Sequence, residues 1–88
     1  MKVKENFVLR QVAQAWVVMP LGQEMIDLAG MLMLNDSGVL LWRCLEQGCE
    51  LQALTDALVM EFGISSEQAA EDAREFVEKL SQYDCLQW

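Results

Sequence analysis

The chain has no histidine, a single proline and only six basic residues among 88. Without histidine, no side chain has an ordinary titration near neutrality. General acid–base work would fall to a carboxylate, Tyr83, a lysine or a cysteine, and no candidate nucleophile has an evident base partner. Glycine is scarce too, and Gly22, Gly30, Gly38, Gly48 and Gly63 stand singly, so no loop is built to cradle a phosphate. These absences argue against an enzyme. Three cysteines, Cys44, Cys49 and Cys85, are too few and odd in number for a disulfide framework, and they read as reduced thiols. A zinc site would need all three plus a carboxylate, and no metal or cofactor is expected. The longest uncharged stretch, Gln11 to Gln23, contains Pro20 and is too short to span a bilayer. Lys2 and Lys4 do not open a signal peptide, because Arg10 interrupts the apolar run that follows. The expected location is cytoplasmic, with no membrane association.

What is present is a 53% hydrophobic chain with a net charge of −8. That suffices for one domain over residues 1–88 with a modest core. The charge is uneven. Residues 1–43 are balanced, whereas Arg74 and Lys79 are the only cations against ten carboxylates in residues 44–88. Such a surface repels phosphate backbones and anionic membranes and favours basic partners.

Three strands open the chain. Phe7 to Val12 and Ala15 to Leu21 are rich in β-branched and aromatic residues and short for helices. Ala13 and Gln14 make a poor two-residue turn, which predicts a longer or irregular connection. A loop over residues 22–30 leads to a third strand, MLML, at residues 31–34. Three helices follow. The first begins near Ser37 and ends at Gln47 with Gly48 in the left-handed position. It is apolar nearly all round, which places it at the centre. The second spans Leu51 to Phe62 and stops at Gly63. The third opens with Ser65 as a cap and Gln68 reaching back as a capping box. The class is therefore α+β.

At residues 31–42 a strand passes into a helix through Asn35, Asp36, Ser37 and Gly38. Asp36 or Ser37 stands where a side-chain oxygen would cap the helix, and capping accounts for the residue type. An Asp-Ser pair at a helix start in an acidic chain also suits a carrier protein modified at Ser37. Carrier domains are all-helical, though, and this chain has strands and Pro20 before the serine.

A small sheet with three helices also describes a winged helix-turn-helix, in which the third helix reads DNA. Here Arg74 and Lys79 face Glu67, Glu71, Asp72, Glu75 and Glu78, the wrong charge for phosphates. Nucleic acid is not expected. A non-catalytic winged-helix module for protein interaction remains as an alternative.

The run Leu34-Asn35-Asp36-Ser37-Gly38, followed by Trp42 and Leu45, resembles the motif L-N-x-[ST]-G-x-x-x-W-x-x-L of the PqqD-like proteins. AAEDAREFVEKL at residues 69–80 is similar to that family's A-x-x-D-x-x-x-F-[LV]-x-x-L helix, and FVLRQVAQAWVVMPLG is similar to its opening. Together these cover residues 5–86. Asp84 replaces a glycine usual before the last apolar pair. The resemblance implies a winged helix-turn-helix-like fold that acts as a peptide chaperone. In that family the leader of a ribosomally made precursor adds as a strand beside the third strand and lies against the third helix. The protein presents it to a modifying enzyme, often a radical S-adenosylmethionine enzyme that carries the cofactor chemistry.

On that reading, Leu32 and Leu34 face the core, whereas Met31 and Met33 are left for a ligand. The strand contribution comes from Gly30, Met31, Leu32 and Met33. The helix contribution comes from Ala69, Asp72, Ala73, Phe76 and Val77, with the alanines leaving space, Phe76 a floor and Asp72 a partner for a leader lysine or arginine. An exposed strand edge can equally pair with a second copy of the chain.

Overall fold

A computed structural model describes residues 1–21 and 32–88. The elements run β1 (Lys2–Val3), β2 (Phe7–Val12), β3 (Ala15–Pro20), β4 (Leu32–Leu34), α1 (Asp36–Glu46), α2 (Leu51–Phe62), α3 (Ser66–Gln82) and β5 (Leu86–Gln87). The α+β architecture matches the expectation: an antiparallel sheet ordered β2-β3-β4, then three helices.

The hairpin between β2 and β3 is tighter than expected. Val12 pairs with Ala15, so Ala13 and Gln14 alone make the turn, and Ala13 takes φ +56. A left-handed L-residue costs about 1–2 kcal/mol, which the six-pair ladder outweighs. Across the sheet, Leu9, Val18 and Leu32 share one face and Arg10, Val17 and Met33 the other. The first face joins the core with Leu41, Trp42, Leu45, Leu54, Leu58, Ala69, Ala73 and Leu80. On the second face Val17 and Met19 are also buried, while Met33 is 53% exposed.

Helix α1 holds the centre, with Trp42 and Leu45 fully buried and Leu41 nearly so. The indole N–H of Trp42 has no hydrogen-bond partner among the described residues. Gly48 takes φ +82 after the α1 cap, the left-handed conformation expected there. Gly63 ends α2 at φ +65, its N–H bonded to the Val59 carbonyl. Ser65 caps α3 by accepting from Gln68 N at 3.1 Å. The second half of the expected capping box is not made, because the Gln68 amide turns forward to donate to Asp72 Oδ1 at 2.8 Å.

A ribbon that the hydrophobic pattern did not announce joins the two ends of the chain. Lys2 pairs with Gln87 and Val3 with Leu86, and Val3, Cys85 and Leu86 complete the core. The turn into β5 satisfies the α3 carbonyls: Asp84 N–H donates to Ser81 O and Cys85 N–H to Leu80 O, with Asp84 at φ +57. This is a Schellman closure in which aspartate occupies the left-handed site. No helix among the described residues is long and apolar enough to cross a membrane.

Candidate peptide-binding groove

Strand β4 is the edge of the sheet, paired with β3 on one side and with no strand on the other among the described residues. Its far side therefore presents backbone N–H and C=O groups in strand geometry. Directly after it, Asn35 caps α1. Its Oδ1 accepts from Gly38 N and from Ser37 Oγ, each at 2.9 Å. The cap is thus Asn35 rather than Asp36 or Ser37, because the helix starts one residue earlier than the pattern suggests. The Ser37 hydroxyl is committed to that cap as a donor.

Between β4, the start of α1 and α3 lies a groove formed by two adjoining cavities of about 310 and 300 Å³. Met33, Leu34 and Gly38 form one end, Phe76 forms the shared floor, and Asn35 and Lys79 border both. Asp72, Glu75 and Ser37 complete the other end. Phe76 gives the groove an apolar base, and Lys79, Asp72 and Glu75, all from α3, place one cation and two carboxylates along it.

Of the residues expected at a binding site, this geometry brings together Met33, Phe76 and Asp72. Leu32 belongs to the edge strand, but its side chain is buried in the core. Ala69 and Ala73, expected as open space along the wall, are fully buried and do not border these two cavities. Val77 borders a separate cavity with Met1, Leu51, Arg74 and Trp88. Gly30 and Met31 lie outside the described residues. Lys79, Leu34, Asn35 and Glu75 were not expected at the groove. A signal for the first was present, since Asp72, Phe76 and Lys79 are spaced four and three apart and fall on one stripe of a helix.

Among the described residues no group of three side chains could hold a metal ion. Cys44 and Cys49 are half-buried and Cys85 is buried, all as free thiols. Cys44 and Cys49 pack against the core. Burial raises the Cys49 thiol above its ordinary range, with Cys44 adding to the effect.

The family model described as coenzyme PQQ synthesis protein D (PqqD) matches residues 15–86. The chain belongs to the PqqD family. A solved structure, TbiB1 in complex with the TbiA(beta) leader peptide, superposes with a TM-score of 0.76 at 22% identity, covering 99% of this chain and 95% of that one. The shared fold thus spans nearly the whole chain. No curated protein sequence matches the chain.

Proposed function

We propose that residues 1–88 act as one non-catalytic recognition unit that binds the leader of a ribosomally made precursor peptide. The leader adds as a strand along β4 and sets its side chains into the groove floored by Phe76. The protein then presents it to a modifying enzyme, a radical S-adenosylmethionine enzyme by the resemblance to PqqD-like proteins. The observation that carries this reading is the β4 edge, without a second strand partner among the described residues, lying beside a groove based on Phe76, with Met33 exposed at its lip. Support also comes from TbiB1, a protein of the same fold captured with a leader peptide.

The division of labour follows from the chemistry. Backbone hydrogen bonds along β4 are indifferent to sequence, so selectivity falls to the side-chain cavities. Met33 is unbranched and polarizable, and it adapts to varied apolar partners. Asp72 is placed to meet a leader lysine or arginine, and Lys79 an acidic residue. About four strand hydrogen bonds at about 1 kcal/mol each and about two buried apolar side chains at about 2 kcal/mol each give about 8 kcal/mol. Ordering a disordered leader takes back about 2–5 kcal/mol. The resulting affinity is tens of micromolar or weaker, compatible with release to an enzyme.

The test is an amide-resolved NMR titration with overlapping peptides tiling the short peptide encoded beside the gene. The expected result is shifts concentrated at Leu32 to Leu34 and along Asp72 to Lys79, lost in a Met33→Asp protein that folds as the wild type. Undiminished binding by that variant, or shifts confined to other surfaces, would overturn the groove assignment. Intact mass on the same sample checks that Ser37 carries no added group.

A further inference from the structure

The groove does not end at Asp72. Asn35, Ser37 and Asp72 also border a larger cavity of about 570 Å³. Its wall is aromatic and aliphatic: Trp16 from the start of β3, Leu34 from the end of β4, Leu58 and Phe62 from α2, and Ile64 from the connection to α3. Phe62 is 43% exposed, and Trp16 and Ile64 are half-buried. Apolar surface is therefore turned to the opening rather than used up in the core. The charged side chains that border this cavity are Asp36 and Asp72, with no cation among the described lining residues. Arg43 lies over the Trp16 ring at 5.9 Å but is itself paired with Glu46 at 3.2 Å.

Resting on the peptide-recognition reading above, we propose that this cavity is a second subsite for the same peptide. It takes an aromatic or large aliphatic side chain that neighbours a lysine or arginine. Continuity favours a peptide as occupant, since the two cavities share three side chains. An extended segment advancing about 3.3 Å per residue along β4 comes to Leu34 and Asn35, which border the groove and this cavity alike. The size and lining suit a ring, which stacks offset or edge-on against Trp16 and Phe62. The two carboxylates at the margin favour a cation beside that ring and disfavour an acidic residue. They also disfavour a second copy of this chain, whose net charge is −8. The consequence is a two-point reading of the leader, in which the β4 edge fixes register and the Trp16 cavity sets which segment is accepted.

The experiment uses the whole chain and the same tiling peptides, titrated into the wild type and Phe62→Ala. The peptide that shifts the Leu32 to Leu34 amides is expected also to shift the Trp16 indole N–H and the Ile64 amide, and to bind Phe62→Ala about tenfold more weakly. On the peptide side, replacing its aromatic residue with alanine reproduces that loss against the wild-type protein. Exchanging the adjacent lysine or arginine for glutamate weakens binding further. These peptide changes decide the matter even where Phe62→Ala folds poorly. A peptide that shifts the β4 edge, leaves Trp16 and Ile64 unmoved and tolerates its own alanine substitution overturns the second subsite alone. The absence of any peptide that perturbs β4 overturns the recognition reading and the subsite with it.

Discussion

Lys4 Nζ lies 2.7 Å from Asp84 Oδ1, across a sequence separation of 80 residues. The Lys4 backbone N–H donates to Cys85 O at 2.7 Å beside it, so both contacts pull β1 onto β5. The Asp84 side chain is 87% exposed, and an ion pair in that setting adds little. The backbone matters more, because Asp84 holds φ +57. Asp84→Gly should therefore lie within about 0.5 kcal/mol of the wild type, the relief of strain offsetting the lost pair. Asp84→Val should cost about 1–2 kcal/mol, since a β-branched side chain resists that conformation. Urea denaturation separates the two, and a Val variant as stable as the wild type would show that the Schellman closure is dispensable.

At the hairpin, Ala13 carries a positive φ of 56° with no side-chain reason to do so. Ala13→Gly should stabilise the protein by about 0.5–1 kcal/mol, the gain in turn geometry exceeding the added freedom of the unfolded chain. For a chain of this size that corresponds to a rise of about 2–8 °C in Tm, read by circular dichroism. An unchanged or lower Tm would mean that the ladder does not enforce the turn.

Gly38 occupies the first turn of α1 where the helix backs onto β4. A Cβ there would lie 3.2 Å from Leu34 Cβ and 3.3 Å from the capping oxygen of Asn35. Ordinary helix propensity favours alanine over glycine by about 1 kcal/mol. Leu34 Cβ is fixed to the strand and cannot swing away, so Gly38→Ala should instead lose about 1 kcal/mol as strand and cap are pushed apart. Chemical denaturation checks the sign, and a net gain would show that the strand yields.

Burial, aided by the negative Asp84, pushes the Cys85 thiol up to about 11 from 9.0. The folded chain then keeps a proton that the unfolded chain has released. The stability this represents is complete below about pH 9 and is lost as pH rises toward about 11. Urea midpoints measured at about pH 8 and about pH 10.5 should fall more steeply for the wild type than for Cys85→Ala. Equal slopes would show that the thiol does not sense folding. Alkylation should reach Cys44 and Cys49 before Cys85, which is 1% exposed.

Much of this fold was legible in the residues. Phe7–Val12, Leu51–Phe62 and the stop at Gly63 follow from patterns within one segment, because periodicity and caps are local signals. The orientation of β4 was legible too: Leu32 enters the core and Met33 turns outward. The β1–β5 ribbon was not, since two-residue strands carry no period and their partners lie at opposite ends of the chain. Of the helix positions read as one wall, Asp72 and Phe76 border the groove, whereas Ala69, Ala73 and Val77 do not. The core takes up the Ala69 and Ala73 stripe, leaving Asp72, Phe76 and Lys79 at the groove and Val77 at another cavity, a division that periodicity alone does not make.

Asn35 belongs to two structures at once. Its side chain closes the first turn of the central helix, and it borders both the groove and the larger cavity beyond it. Binding and helix fraying at this point are therefore linked equilibria. Whatever free energy an occupant adds to the Asn35 hydrogen bonds, an intact cap returns to the occupant in equal measure. On the proposed reading the beginning of α1 is part of the receptor, and an occupied groove should slow amide exchange at Val39, a residue that borders none of these cavities.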